Sequence, residues 1–96
     1  MVERPAFGGE VIGFKMYDVY IIKNKAGKYY IGYTRDIENR LKEHNRGKTK
    51  SLRGHGPFKL IYIETFSTRI EAVKRERQIK KYKGGEAFRR LIGLPL

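Results

Sequence analysis

Five side chains in this sequence stand where a stable fold does not require them: Tyr20, Tyr30, Arg40, His44 and Glu76. Glu76 is the clearest case. It falls between Val73 and Ile79, inside the apolar arc of its helix together with Ala72. A carboxylate there must be paired, hydrated in a cleft or bound to a metal, because unpaired burial is costly. Lys80, one helical turn on, offers a purely structural partner at the i, i+4 spacing. Arg40 and His44 share a stripe with Ile37 and Leu41. The plain readings are an Arg stem lying on apolar surface with its head in water, and a satisfied core histidine. Strand tyrosines are ordinarily packing residues. The chemical readings are different. Planar Arg donors grip two phosphate oxygens, and one carboxylate with water and substrate is normal magnesium coordination. A tyrosine, with a reference pKa near ~10, becomes a base only where cations favour its phenolate. Taken singly, none of the five decides between these readings.

The elements that must position them can be read from the sequence. Tyr17–Lys23 (YDVYIIK) is β-branched and aromatic, and Lys28–Tyr33 (KYYIGY) follows it across Asn24-Lys25-Ala26-Gly27. These are two strands of a hairpin. Gly27 suits the left-handed position of a three-residue bulged loop, Lys25–Gly27. With that loop Asn24 faces Lys28, Ile22 faces Tyr30, and Tyr20 lies one diagonal step away on the same face. A two- or four-residue loop would put the two tyrosines on opposite faces. Asp36 or Thr34 caps a helix running to about Asn45 and stopped by Gly47. Residues 46–57 (RGKTKSLRGHGP) form a basic loop, and Lys59–Glu64 (KLIYIE) is a third strand. Thr68-Arg69-Ile70-Glu71 is a capping box that opens a helix to about Tyr82. Gly84-Gly85 breaks the chain before a short helix, Glu86–Ile92, with Phe88, Leu91 and Ile92 on its apolar side. The order is ββαβαα, a three-stranded antiparallel sheet carrying helices, an α+β domain.

Composition bounds the rest. In 96 residues there are 22 Lys+Arg against 10 Asp+Glu, no Cys and no Trp. Such a length allows one domain, and a chain this small hides only about 65% of its unfolded surface. With 40% hydrophobic residues and 12% aromatics it still builds a core. Residues 1–15, with Pro5, Gly8, Gly9 and Gly13, read as a poorly ordered leader, and residues 16–96 as the domain. The absence of cysteine excludes a disulfide framework and a thiolate zinc site. No apolar run approaches the ~18–20 residues that span a bilayer, so the expectation is a small, soluble, cytoplasmic protein with no membrane partner. The formal charge of +12 attracts polyanions and speeds encounter with them, nucleic acid foremost.

Together the five residues fit a family. Asp18-Val19-Tyr20 followed by Tyr30-Ile31-Gly32 resembles the GIY-YIG nucleases, which are named after those two tripeptides on adjacent strands. The resemblance continues through Asn39-Arg40-Leu41 and His44 on the first helix, then Glu71-Ala72, Glu76 and Ile79-Lys80-Lys81 on the second. It is closest to the compact single-domain branch related to the nuclease module of the excision-repair subunit UvrC. Asp18 stands where the family usually has Gly, and Tyr33 where that branch commonly has Lys. The resemblance implies that Tyr20 and Tyr30 are the motif tyrosines, one of them assisting as general base. Arg40 would hold the scissile phosphate, His44 would occupy a position that is Tyr or His in the family, and Glu76 would bind one divalent metal, Mg2+ or Mn2+.

The reading is therefore a metal-dependent DNA endonuclease that hydrolyses phosphodiester bonds and cuts one strand per active site. Its setting would be DNA repair or recombination, on branched or damaged DNA, with RNA the lesser candidate. Gly32 would let the backbone pass closely beside the site or a helix. Lys48, Lys50 and Arg53 on the basic loop would contact backbone phosphates, which position substrate without reading its sequence. The alternatives are a non-catalytic module that binds structured DNA or RNA through the same surface, and a basic interaction domain for an acidic protein.

Overall fold

The computed structural model describes residues 10–11, 14–48, 52–83 and 85–93. Its main sheet has three antiparallel strands, β3 (Tyr17–Asn24), β4 (Tyr29–Thr34) and β5 (Phe58–Phe66), ordered β4-β3-β5. The helices are α1 (Ile37–Asn45), α2 (Arg69–Tyr82) and α3 (Glu86–Leu91), which completes the expected order ββαβαα. Most of the expected leader lies outside the described residues. Within it, β1 (Glu10–Val11) and β2 (Phe14–Lys15) pair as a short antiparallel ladder. The sequence, with Gly13 between them and no sustained alternation, did not suggest that pairing. Among the described residues no helix is long and apolar enough to cross a membrane.

The hairpin closes as its loop length requires. Gly27 sits at φ 85°, a conformation that costs little without a Cβ. The Asn24 amide donates to the Lys28 carbonyl at 3.0 Å, and the Lys28 amide to Asn24 Oδ1 at 2.9 Å. Ile22 then faces Tyr30, and Tyr20 faces Gly32. On the other side of β3 the register with β5 shifts between Ile21, opposite Tyr62, and Ile22, opposite Leu60. That irregularity and the greater lengths of β3 and β5 separate the structure from the shorter strands expected.

The two sheet faces carry different helices. Tyr20, Ile22, Ile37, Leu52 and Phe58 are buried together on one face, flanked by Tyr30, Leu41, Leu60 and Ile63, so α1 packs there. Val19, Ile21, Ala72, Ile79 and Phe88 are buried on the other, so α2 and α3 pack there. Each of the fully buried Ile side chains contributes about 1.5–3 kcal/mol. Local signals fix the helix ends. Asp36 Oδ1 accepts from the Asn39 amide at 3.1 Å and caps α1, while Thr34 Oγ1 accepts from the Asp36 amide at 3.1 Å. At the other end Gly47, at φ 78°, donates to the His44 carbonyl and Lys48 to that of Glu43, the paired closure typical of a left-handed glycine. Thr68 Oγ1 accepts from the Glu71 amide at 3.2 Å, as a capping box requires. The Glu71 carboxylate takes the Thr68 hydroxyl at 2.8 Å and the Ser67 hydroxyl at 3.3 Å, a variation on the reciprocal backbone bond expected.

Candidate active site

Strand β4 is an edge strand; α1 packs on one face of the sheet and contacts β5, while α2 packs on the other face and contacts β4. Between them lies a cleft of about 590 Å³. Tyr20 and Tyr30 enter it from the sheet, Arg40 and His44 from α1, and Glu76 from α2, with Gly32 in the floor. All five side chains singled out in the sequence therefore face one space, and the two phenols share a sheet face. The hairpin register puts Tyr20 and Tyr30 there, and α2 brings Glu76 around the strand edge from the other face.

Tyr20 is 4% exposed, and its hydroxyl lies 2.8 Å from His44 Nε2. Burial pushes the phenol above its ordinary pKa of 10, although the Arg40 guanidinium beside it pulls the other way. His44 is pushed below its ordinary 6.5, first by burial and then by the charge of Arg40. At neutral pH the pair is thus a neutral phenol against a neutral imidazole. These directions couple the fold to pH. The contribution of His44 to stability is present above pH ~6.5 and is lost as pH falls through its lowered folded value. That of Tyr20 is present below pH ~10 and is lost as pH rises through its raised one.

Gly32 is present for space. An ideal Cβ on it would lie 2.5 Å from Tyr20 Oη and 2.8 Å from Tyr20 Cζ. The phenol lies directly across the strand, and no other residue leaves it room. Gly32→Ala is therefore expected to displace Tyr20 from His44 and to destabilise the fold by roughly 1–3 kcal/mol. Denaturant melts will check this, with Tyr20→Ala as the second substitution that relieves most of the cost.

Phe58 braces both halves of the site. Its ring packs edge-on against Tyr30, with centroids 5.4 Å apart and planes at 90°, and lies 6.4 Å from the ring of His44. Asn45, the last residue of α1, fixes Phe58 by both ends of its amide. Oδ1 accepts from the Phe58 amide at 2.6 Å, and Nδ2 donates to the Phe58 carbonyl at 3.4 Å. Sequence reasoning missed this contact because it joins residues from separate elements. It also missed Leu52, which is buried in the cleft wall and anchors the basic loop beside the site.

Arg40 is partly exposed and makes a 3.3 Å ion pair with Glu43, a contact of the kind worth about 0–1 kcal/mol and easily exchanged for a phosphate. Glu76 is 16% exposed on its side chain, and Lys80 stands 3.8 Å away. The structural partner foreseen for Glu76 thus exists, but Lys80 is itself 54% exposed and the contact is long. The carboxylate remains turned into the cleft. Among the described residues no group of three or more His, Asp or Glu forms a protein cage for a metal. A single oxygen donor in a cleft roomy enough for water still suits magnesium, which keeps several waters and takes phosphate oxygens as its other ligands.

Neither Lys48 nor Arg53 is among the residues lining the cleft. Lys48 is exposed after α1, and Arg53 is exposed with its Nε donating to the Gly47 carbonyl at 2.9 Å. Lys50 lies outside the described residues. Asp18 is fully buried and accepts from Thr65 Oγ1 at 2.8 Å, so its carboxylate serves the sheet interior. Tyr33 lies in the cleft wall, and its hydroxyl accepts from Arg69 Nε at 2.9 Å. Lys83 also reaches the cleft, a cation the sequence did not single out.

Comparison with known proteins identifies the family. The family model described as the GIY-YIG catalytic domain matches residues 16–87. The UPF0213 protein HQ_3675A of Haloquadratum walsbyi is 45% identical over 65 residues, covering 67% of this chain and 73% of that protein. The UPF0213 protein CPE1444 of Clostridium perfringens is 48% identical over 64 residues, covering 66% and 69%. The solution NMR structure of the UPF0213 protein BH0048 from Bacillus halodurans superposes with a TM-score of 0.54 at 35% identity, over 81% of this chain and 83% of that one. The chain belongs to the GIY-YIG nuclease family, in the company of these small UPF0213 proteins.

Proposed function

We propose that this chain is a divalent-metal-dependent DNA endonuclease that hydrolyses one strand per active site, on branched or damaged DNA in repair or recombination. The observation that carries the proposal is the cleft itself, where a phenol–imidazole pair, a second phenol, an arginine and a half-buried carboxylate line one space roomy enough for a phosphodiester.

Phosphodiester hydrolysis needs an activated water, positive charge against the phosphate oxygens and help for the leaving oxygen. Arg40 grips the scissile phosphate with its planar donors, exchanging Glu43 for it. Tyr20 is the general base. With its pKa raised above 10, fewer than about one phenol in a thousand is ionised at pH 7. A free phenolate is therefore scarce, and His44 resolves the difficulty. As water gives its proton to the Tyr20 oxygen, the phenolic proton passes to His44 Nε2 at 2.8 Å. Tyr30, braced by Phe58, orients the water or the phosphate from the same sheet face. Glu76 would hold the divalent cation, which supplies charge neutralisation at the phosphate and the leaving oxygen. Lys48, Lys50 and Arg53 would contact phosphates farther along the backbone.

The test is cleavage of an end-labelled branched duplex by the purified chain. Product is expected with magnesium or manganese and none after chelation, with plain duplex cut more slowly. Equal product in the presence of chelator would remove the metal from the mechanism.

A further inference from the structure

Lys83 caps the C-terminus of α2, its amide donating to the Lys80 carbonyl at 3.4 Å, and the Gly85 amide donates to the Tyr82 carbonyl at 2.9 Å. The Lys83 side chain reaches back into the cleft, and Nζ lies over the Tyr30 ring, 5.4 Å from the centroid. Tyr30 cannot swing aside freely, because the Phe58 ring packs against it with the two planes at 90°. The ring face therefore acts as a seat for the ammonium, held by cation–π attraction. The neighbouring Lys80 differs, since a carboxylate, that of Glu76, stands 3.8 Å from it. Among the described residues no carboxylate pairs with Lys83. An ammonium that is already seated on a ring loses less side-chain freedom when it binds an anion.

Position then identifies the anion. Arg40 stands on the α1 wall beside Tyr20, which lies over Gly32. Tyr30 is two residues back along β4, a step of about 7 Å in an extended strand. Arg40 and Lys83 thus line one cleft at positions offset along β4, as cations on neighbouring phosphates of one strand require. We propose that Lys83, seated on Tyr30, is a second phosphate subsite that takes the phosphate next to the scissile one. The substrate strand then crosses the β4 edge between the Arg40 wall and the Lys83 wall. Tyr30 serves twice, through its hydroxyl in the cleft and through its ring as the seat.

The inference rests on the nuclease reading for the identity of the polyanion, so its test is made on binding with chelator present, where no cleavage occurs. Affinity of the whole chain for a short duplex is measured against salt. Each phosphate neutralised contributes about −0.9 to the log–log slope. Lys83→Ala is expected to make the slope shallower by about 0.9, and Lys83→Arg to restore it. Tyr30→Leu removes the seat and should weaken binding in the same direction as Lys83→Ala. Should Lys83→Ala bind with the wild-type slope and affinity, the subsite is overturned. A wild type that binds with this Lys83-dependent slope but never cuts would keep the subsite and reject the nuclease mechanism.

Discussion

Replacing Glu76 with Ala is expected to abolish cleavage even with magnesium or manganese in large excess. The substitution removes the carboxylate without adding bulk, and Ala is the best helix former, so α2 should persist. Within the fold it breaks the 3.8 Å pair with Lys80, an interaction of a class worth about 0.2–0.5 kcal/mol. Stability therefore changes little while activity collapses, and that separation distinguishes a ligand from a helix pair. Binding to DNA in the absence of metal should be kept or slightly strengthened, because a negative charge has left a polyanion site. A Glu76→Ala protein that cuts at the wild-type rate would return Glu76 to the role of partner for Lys80.

The second large effect belongs to Tyr20. Tyr20→Phe keeps the ring that fills the space over Gly32 and removes only the hydroxyl that faces His44. It should fold and bind DNA, yet lose about 10²–10⁴-fold in rate, the usual contribution of general-base catalysis. The pH profile makes the assignment more specific. If His44 takes the phenolic proton, the wild-type rate rises as His44 deprotonates below pH ~6.5 and is level from neutral pH toward the phenol's raised pKa. A base acting as free phenolate would instead give a rate climbing past pH ~10. His44→Gln should remove the acidic limb together with most of the rate. Near-normal cleavage by Tyr20→Phe would move the base away from this pair.

The parts of the site that were legible in the sequence were those set by local rules. Gly27 and the three-residue loop determine the hairpin register, which decides that Tyr20 and Tyr30 share a face. Helical spacing put Arg40 and His44 on one stripe, and the odd carboxylate in an apolar arc marked Glu76. Gly32 was legible as a place of close approach, but what approaches is the phenol of Tyr20, across the strand. Residues joined by chain crossing left no signal. Asn45 grips Phe58 across the basic loop. Lys83 reaches Tyr30 only because α2 packs on the far face and ends beside the β4 edge. In the sequence Lys83 is one of several basic residues before a Gly pair, and nothing separates it from Lys80 or Lys81. The strand ends were misjudged for a related reason: Phe58 and Phe66 extend β5 by pairing with Asn24 and Tyr17, partners that sequence periodicity does not reveal.

The most direct test of the cleft as a nuclease active site is the order of products from supercoiled plasmid DNA. Wild-type, Glu76→Ala and Tyr20→Phe proteins, purified identically, are incubated with the plasmid and manganese or magnesium, and relaxed and linear forms are followed in time. One cut per active site predicts relaxed circles first and linear molecules later from the wild type, with neither variant producing them at a comparable rate. Cleavage that is equal in all three proteins, or DNA that is bound by the wild type but left intact with both metals, would contradict the account.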